Sequence, residues 1–152
     1  VRTITGDLIG LALAGEFDVI VHGCNCFVTM GAGIARAIKQ HFPEAWQADL
    51  ATERGDRGKL GTYSSALVER DGVSFTVVNA YTQFTYRGRG PKVDHDAMRS
   101  VFRAVARDFP DARIGYPLIG AGLAGGDWDT IAEIIDEELV GMRHALVRLP
   151  GW

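Results

Sequence analysis

The sequence predicts an α/β fold built in layers, and two observations carry that reading. Short β-branched or apolar runs alternate with longer stretches of helical periodicity along the whole chain, the pattern of strands and helices packed in layers. The composition, 47% hydrophobic and 23% charged over 152 residues, is that of a globular protein with one core. No composition shift or linker-like stretch marks a boundary, so residues 1–152 read as a single domain.

Residues 1–5 read as a first strand. Asp7 then stands at the entry of an apolar helix over 8–14, where an acid suits both capping and the helix dipole. The compact apolar run 17–22 (FDVIVH) reads as a buried strand leading into Gly23-Cys24-Asn25-Cys26. A helix over 33–41 is stopped by Pro43, and another follows over 44–52. Residues 54–61 hold three glycines and several charges and read as a surface loop. Strands over 62–69 and 74–80 are joined by a turn at Arg70-Asp71-Gly72. Met98, Val101, Phe102, Val105 and Phe109 recur at helical spacing within a helix over 94–109 that Pro110 ends. A strand over 113–119, a helix over 128–140 and a last strand over 144–149 complete the series.

Charge and cysteine usage narrow the function classes. The lysines and arginines are spread along a chain of net charge −3 without a run, which argues against nucleic acid as a partner. A small anion is a different matter, because glycine loops and helix N-termini hold phosphate through backbone N–H groups. The apolar run 8–14 is too short to span a bilayer and lacks a basic flank, so no membrane is expected. Cys24 and Cys26 are poorly spaced for a mutual disulfide and bring no further ligands for a zinc site. A cytoplasmic setting, with no metal and no cofactor, is the expectation.

Two glycine loops each fall between a predicted strand and a predicted helix, where free N–H groups converge on an anion. The first is Met30-Gly31-Ala32-Gly33-Ile34-Ala35, the second Gly120-Ala121-Gly122-Leu123-Ala124-Gly125-Gly126 before Asp127-Trp128. The second matches the dinucleotide fingerprint G-x-G-x-x-G. A dehydrogenase would need an acidic residue roughly 20 positions on to hold the ribose, whereas the last strand here ends Val147-Arg148-Leu149-Pro150. Tight turns needing positive φ explain single glycines, but two such clusters in one small domain are better explained by a diphosphate lying between them.

Four ordered motifs, Gly6-Asp7-Leu8-Ile9, His22-Gly23-Cys24-Asn25-Cys26, Met30 to Ala35, and Gly120-Ala121-Gly122-Leu123 with Asp127-Trp128, together resemble the macrodomains over nearly the whole chain. Within that superfamily the sequence is similar to the branch holding yeast and phage ADP-ribose 1''-phosphate phosphatases and terminal ADP-ribose protein glycohydrolases. The resemblance implies a three-layer α-β-α fold with a mixed central sheet flanked by helices. It also implies a ligand, ADP-ribose or ADP-ribose 1''-phosphate, with ADP-ribosylated macromolecules as further partners. Carried over, it puts Asp7, with Leu8 and Ile9, at the adenine and Asn25 at the distal ribose. Met30, Gly31, Ala32, Gly33 and Ile34 would wrap the distal ribose and diphosphate, opposed by Gly120, Ala121, Gly122, Leu123 and Ala124. Tyr81 and Gln83 would border the same cleft. One departure stands out: Gln83 and Ala124 occupy the places where the glycohydrolase members use a lysine and an aspartate, so a nucleophilic amine is absent.

Removing a terminal phosphate requires a delivered proton and stabilised negative charge. His22, beside the ribose loop, is the first candidate for proton transfer because imidazole titrates near neutrality. Asn25 sits next to the reacting end, and Asp127 is the competing acid or base, although its position before Trp128 also suits an N-cap. Cys24 and Cys26 lack a cationic cradle and read as packing residues. Arg87 to Arg89 and Lys92 read equally as a solvated loop or as a cover for a distal phosphate. The leading reading is a metal-independent hydrolase of ADP-ribose 1''-phosphate, yielding ADP-ribose and phosphate. The alternatives are a non-catalytic ADP-ribose reader and a hydrolase removing ADP-ribose from modified macromolecules.

Overall fold

The computed structural model describes residues 1–151 and shows one six-stranded mixed sheet between two helical layers. In chain order the elements are β1 (Arg2–Thr5), α1 (Leu8–Leu13), β2 (Val19–Cys24), α2 (Gly33–His41), α3 (Pro43–Leu50), β3 (Tyr63–Arg70), β4 (Val73–Tyr81), α4 (His95–Asp108), β5 (Arg113–Tyr116), α5 (Trp128–Glu138) and β6 (Arg143–Arg148). The strands lie in the order β1-β6-β5-β2-β4-β3, every neighbouring pair parallel except the β3–β4 hairpin.

Alternation along the buried strands sorts their side chains into the two cores. Ile20, Val77 and Ala145 face α1, α2 and α3, and meet Leu8, Ile9, Ala12, Ile38 and Ala45 there. Val19, Val21, Val78, Ala80 and Leu146 face α4 and α5, and meet Met98, Val101, Phe102, Ile131 and Ile135. Strands buried on both faces are continuous apolar runs, as at Val19, Ile20 and Val21, whereas β4 begins with Ser74 and Thr76 alternating with Val73, Phe75 and Val77 before both its faces become buried.

Most elements fall within two residues of their predicted bounds, and the exceptions have local causes. The expected strand over 113–119 stops at Tyr116 because Pro117 has no N–H for a ladder, and Ile119 N–H instead turns back onto the Pro117 carbonyl. The hairpin turn is Asp71-Gly72, both at positive φ (50° and 81°), as a two-residue turn between twisted strands requires. The loop over 54–61 contains a 3-10 turn at Arg57–Lys59 that carries Lys59 inward.

At one position the packing allows no side chain. A Cβ on Gly115 in β5 would lie 2.7 Å from the ring of Phe17, which is buried in the first core. Gly115→Ala should therefore destabilise the fold by about 1–3 kcal/mol through overpacking, read as a lower urea midpoint at unchanged slope. An unchanged midpoint would mean that the ring yields without strain.

Candidate functional site

The parallel strands end along one edge of the sheet, and a cleft of about 400 Å³ opens there. Its wall takes Gly6 after β1, Gly23 in β2, Gln83 beyond β4, Pro117 to Gly120 beyond β5, and Val147 to Leu149 at the end of β6. Ligands of open α/β sheets sit in this place, outside the carboxyl ends of the strands. From β1 to β4 is four strand spacings, roughly 19 Å, room for a nucleoside diphosphate carrying a second sugar.

Asp7 lies at one end, where its carboxylate caps α1 by accepting a hydrogen bond from Gly10 N–H at 3.2 Å. Leu8 and Ile9 line the same end beside Arg148 and Leu149. The first glycine loop contributes Ala32, Gly33 and Ile34. Ala32 is the N-cap of α2 and has no side chain to satisfy the first turn, so those N–H groups remain open towards the cleft. Opposite stand Gly120, Gly122, Leu123 and Ala124. The two loops approach closely: the position of a Cβ on Gly33 is 3.3 Å from Leu123 Cδ1.

The glycines of these loops are not alike. Gly120 holds a φ of +76° and is pressed against Met98 and Val93, and a Cβ on Gly126 would strike the Gly120 carbonyl at 2.5 Å, so both are demanded by the turn itself. Gly31 and Gly122 have neither constraint. Neither is at positive φ, and no atom comes closer than 3.9 Å to a Cβ built on either. At Gly122, which lines the cleft, the missing side chain leaves the open space that close approach of a ligand to backbone needs.

Several residues expected at the cleft are elsewhere. His22 is fully buried, with Nε2 2.7 Å from Asn79 Oδ1 and Cys24 Sγ 3.7 Å from the same nitrogen. Burial pushes its pKa down to about 4, against a smaller upward pull from Asn79, so the ring is neutral at physiological pH and faces no substrate. Asp127 is the N-cap of α5; its carboxylate accepts from Thr130 Oγ1 at 2.7 Å and Thr130 N–H at 3.3 Å, and it does not line the cleft. Asn25 uses both ends of its amide within its own turn, donating to Thr29 Oγ1 and accepting from Phe27 N–H, each at 2.8 Å. Tyr81 is buried with its hydroxyl between Asp49 and Ser64, because β4 turns that side chain towards α3. Met30 packs into the first core at a φ of +41°, and Gly31 is exposed and does not line the cleft. Ala121 packs against the second core, and its N–H, like that of Gly122, is spent on the Leu118 carbonyl, which leaves the Gly120, Leu123 and Ala124 N–H groups as those of this loop without a backbone partner.

The sequence reading passed over the wall supplied by Pro117 to Ile119 and Val147 to Leu149. Their signal was positional: each segment leaves the carboxyl end of a parallel strand.

Behind the cleft a chain of buried polar groups ties α3 and the 54–61 loop to the sheet. Asn79 Nδ2 donates to the Ala45 carbonyl and to Ser64, Ser64 meets Tyr81, and Tyr81 donates to Asp49. Lys59 Nζ reaches Thr52 Oγ1 at 2.7 Å and the Cys26 carbonyl at 3.2 Å, pinning the turn that carries Asn25. Burial raises the Asp49 pKa, opposed by the Tyr81 hydroxyl and the nearby Lys59 ammonium. Among the described residues no group of three or more His, Cys, Asp or Glu side chains is arranged to hold a metal ion, and no helix is long and apolar enough to cross a membrane.

Parallel strands, two open glycine loops over their carboxyl ends and an acid at the first helix define the class, and the Macro domain model matches residues 21–135. The chain belongs to the Macro domain family. An uncharacterized 17.5 kDa protein from the tk-vs intergenic region of Enterobacteria phage T4 is 38% identical over 142 residues, 90% of this chain and 88% of that protein. A DNA ADP-ribosyl glycohydrolase of Mycobacterium tuberculosis is 28% identical over 132 residues, 85% of this chain; the match spans only 36% of that protein. The ADP-ribose 1''-phosphate phosphatase of Candida albicans is 23% identical over 147 residues, 90% of this chain and 92% of that protein. Thermosipho africanus DarTG, solved in complex with ADP-ribose, shares the fold with a TM-score of 0.72 at 16% identity, over 99% of this chain and 42% of that one.

The buried imidazole leaves a measurable trace in stability. With a folded pKa near 4 against about 6.5 unfolded, the unfolded chain binds the extra proton first, so His22 makes stability fall as pH drops from about 6.5 towards 4. Between pH 7 and pH 5 this contribution is about 2 kcal/mol. In paired urea titrations His22→Gln should lose stability at pH 7 but show a pH 7 to pH 5 difference smaller by that amount. An identical difference in both proteins would place the ring in contact with solvent.

Proposed function

We propose that the cleft binds ADP-ribose, with the adenine against Asp7 and the diphosphate between the two glycine loops, and that the protein hydrolyses ADP-ribose substituted at the distal ribose. The observation that carries this is Gly122, a glycine with no conformational need, lining the cleft opposite the uncapped first turn of α2 at Ala32, Gly33 and Ile34. An Asp carboxylate is an acceptor for an adenine amino group, and amides of a helix N-terminus suit a diphosphate. Family relatives named as a phosphatase of ADP-ribose 1''-phosphate and as a DNA ADP-ribosyl glycohydrolase support hydrolysis as the reaction class.

ADP-ribose 1''-phosphate is the simplest such substrate. Water oxygen bonds to phosphorus, the bond from phosphorus to the sugar oxygen breaks, and the proton ends on that oxygen, giving ADP-ribose and inorganic phosphate. Among the described residues the only ionisable side chains lining the cleft are Asp7 and Arg148, both at the adenine end. The protein's contribution is then to hold the substrate and stabilise charge with amides, while a substrate phosphate oxygen takes the water proton. Gln83, which lines the far end, donates to the Thr85 carbonyl at 3.0 Å and offers no nucleophilic amine.

The same scarcity of ionisable groups favours a second reading, a reader that binds ADP-ribose without turnover. Calorimetric titration with ADP-ribose beside phosphate release from ADP-ribose 1''-phosphate separates the two. We expect binding, with phosphate released. Asp7→Ser, which keeps an N-cap acceptor but removes the carboxylate, should weaken ADP-ribose about tenfold with little change in unfolding midpoint. Binding without phosphate release assigns the reader role, and no binding sinks the ADP-ribose reading altogether.

A further inference from the structure

Resting on the hydrolysis reading, we propose that the side-chain amide of Gln83 orients the water that attacks the phosphorus of a 1''-phosphate. Of the residues lining the cleft, only Asp7, Arg148 and Gln83 carry a hydrogen-bonding side chain; the rest are glycine, alanine, proline or aliphatic. Asp7 and Arg148 stand where β1 and β6 end, at one side of the sheet, and Gln83 follows β4 at the other. With the adenine against Asp7, the substituent on the distal ribose has one polar side chain within the cleft wall to meet. The other polar groups of that end are committed elsewhere. Asn25 closes its own turn, Lys59 Nζ holds Thr52 and the Cys26 carbonyl, the Thr82 hydroxyl is buried, and Lys92 Nζ turns onto the Gly90 carbonyl at 2.7 Å.

The peptide that carries Gln83 is held from both sides. Thr82 N–H donates to the Cys24 carbonyl at 3.3 Å, Cys26 N–H to the Phe84 carbonyl at 2.9 Å, and Cys26 Sγ approaches the Gln83 carbonyl at 3.6 Å. On the opposite flank lie the Gln83–Val93 bridge and the bond from Asp94 N–H to the Thr82 carbonyl at 2.8 Å. The amide itself has one orientation. Its Nε2 lies 3.0 Å from the Thr85 carbonyl, an oxygen that only accepts, so nitrogen and oxygen cannot exchange places. Oε1 has no protein donor among the described residues and is not enclosed. The far end of the cleft therefore carries a fixed, uncharged acceptor.

An uncharged acceptor suits a water attacking a phosphate. A carboxylate in its place would repel the phosphoryl oxygens, and an ammonium has no lone pair to take a water hydrogen. The amide oxygen accepts one hydrogen of the water and so turns a water lone pair towards phosphorus, a role glutamine fills in nucleoside triphosphatases. The water oxygen then bonds to phosphorus, and the bond from phosphorus to the sugar oxygen breaks with its electron pair on that oxygen. The water proton reaches the sugar oxygen by way of a phosphate oxygen. Gln83 keeps its own protons throughout, so it governs the rate of attack and leaves the hold on ADP-ribose to Asp7 and the loop amides.

Steady-state phosphate release from ADP-ribose 1''-phosphate by Gln83→Met, a variant of similar length without the acceptor, tests the assignment. kcat should fall about a hundredfold, while KM and the calorimetric affinity for ADP-ribose stay within about twofold. Gln83→Asn, which keeps the amide but draws it back by one carbon, should lose kcat alike. In water enriched in oxygen-18, the phosphate released by the wild type should carry one labelled oxygen, because phosphorus is the atom attacked. Full kcat in either variant, or unlabelled phosphate, overturns the role of Gln83 and leaves hydrolysis standing. A loss of ADP-ribose affinity in step with kcat makes Gln83 a support for the loops, and overturns it too. A wild type that binds ADP-ribose and releases no phosphate removes hydrolysis and this role together, with the cleft still a binding site.

Discussion

Everything in this protein depends on five neighbouring strands, β1, β6, β5, β2 and β4, running the same way. Parallel strands demand crossovers, the crossovers are the helices, and the helices bury both faces of the sheet. The carboxyl ends are then left side by side with loops too short to cover them, and the cleft is that uncovered edge. β1 enters at one side of the row and carries Asp7 to that end of the cleft; the β3–β4 hairpin closes the other side.

The elements were legible because each has a local cause. The continuous apolar run at 17–22, the Asp71-Gly72 turn and the helical spacing from Met98 to Phe109 act within a few residues, and the structure keeps all of them. The two glycine loops were legible as strand-to-helix loops for the same reason, the first between β2 and α2 and the second between β5 and α5. Which way a strand-end side chain faces was not. His22 and Tyr81 lie in register opposite Asn79 and Cys24, on strands whose alternation is hidden by burial on both faces. A polar residue in such a run can be site or core, and here each found partners in the interior. Asn25 instead completes its own turn with partners two and four residues on, Phe27 N–H and Thr29 Oγ1, a local turn that such a side chain is able to form.

The interior polar chain explains why such residues are tolerated. From His22 through Asn79, Ser64 and Tyr81 to Asp49, each group supplies its neighbour, so burial is not paid for in unsatisfied hydrogen bonds except at one Asp49 oxygen. The return is positional. Lys59, held against Thr52 and the ring of Tyr81, fixes the carbonyl of Cys26, and through it a turn in which Val28 and Met30 adopt positive φ without being glycine. Backbone of that kind persists only where its surroundings impose it.

Gly31 and Gly122 make a different kind of demand on the sequence. Most glycines here answer to the fold: a side chain would strain the backbone or strike a neighbour. These two meet neither constraint. Any search for tolerated positions that scores folding would rank them among the freest in the chain, and a library built on that ranking would fill the cleft while improving the scaffold. Selection for stability and selection for open space above the two loops would therefore pull these two positions in opposite directions.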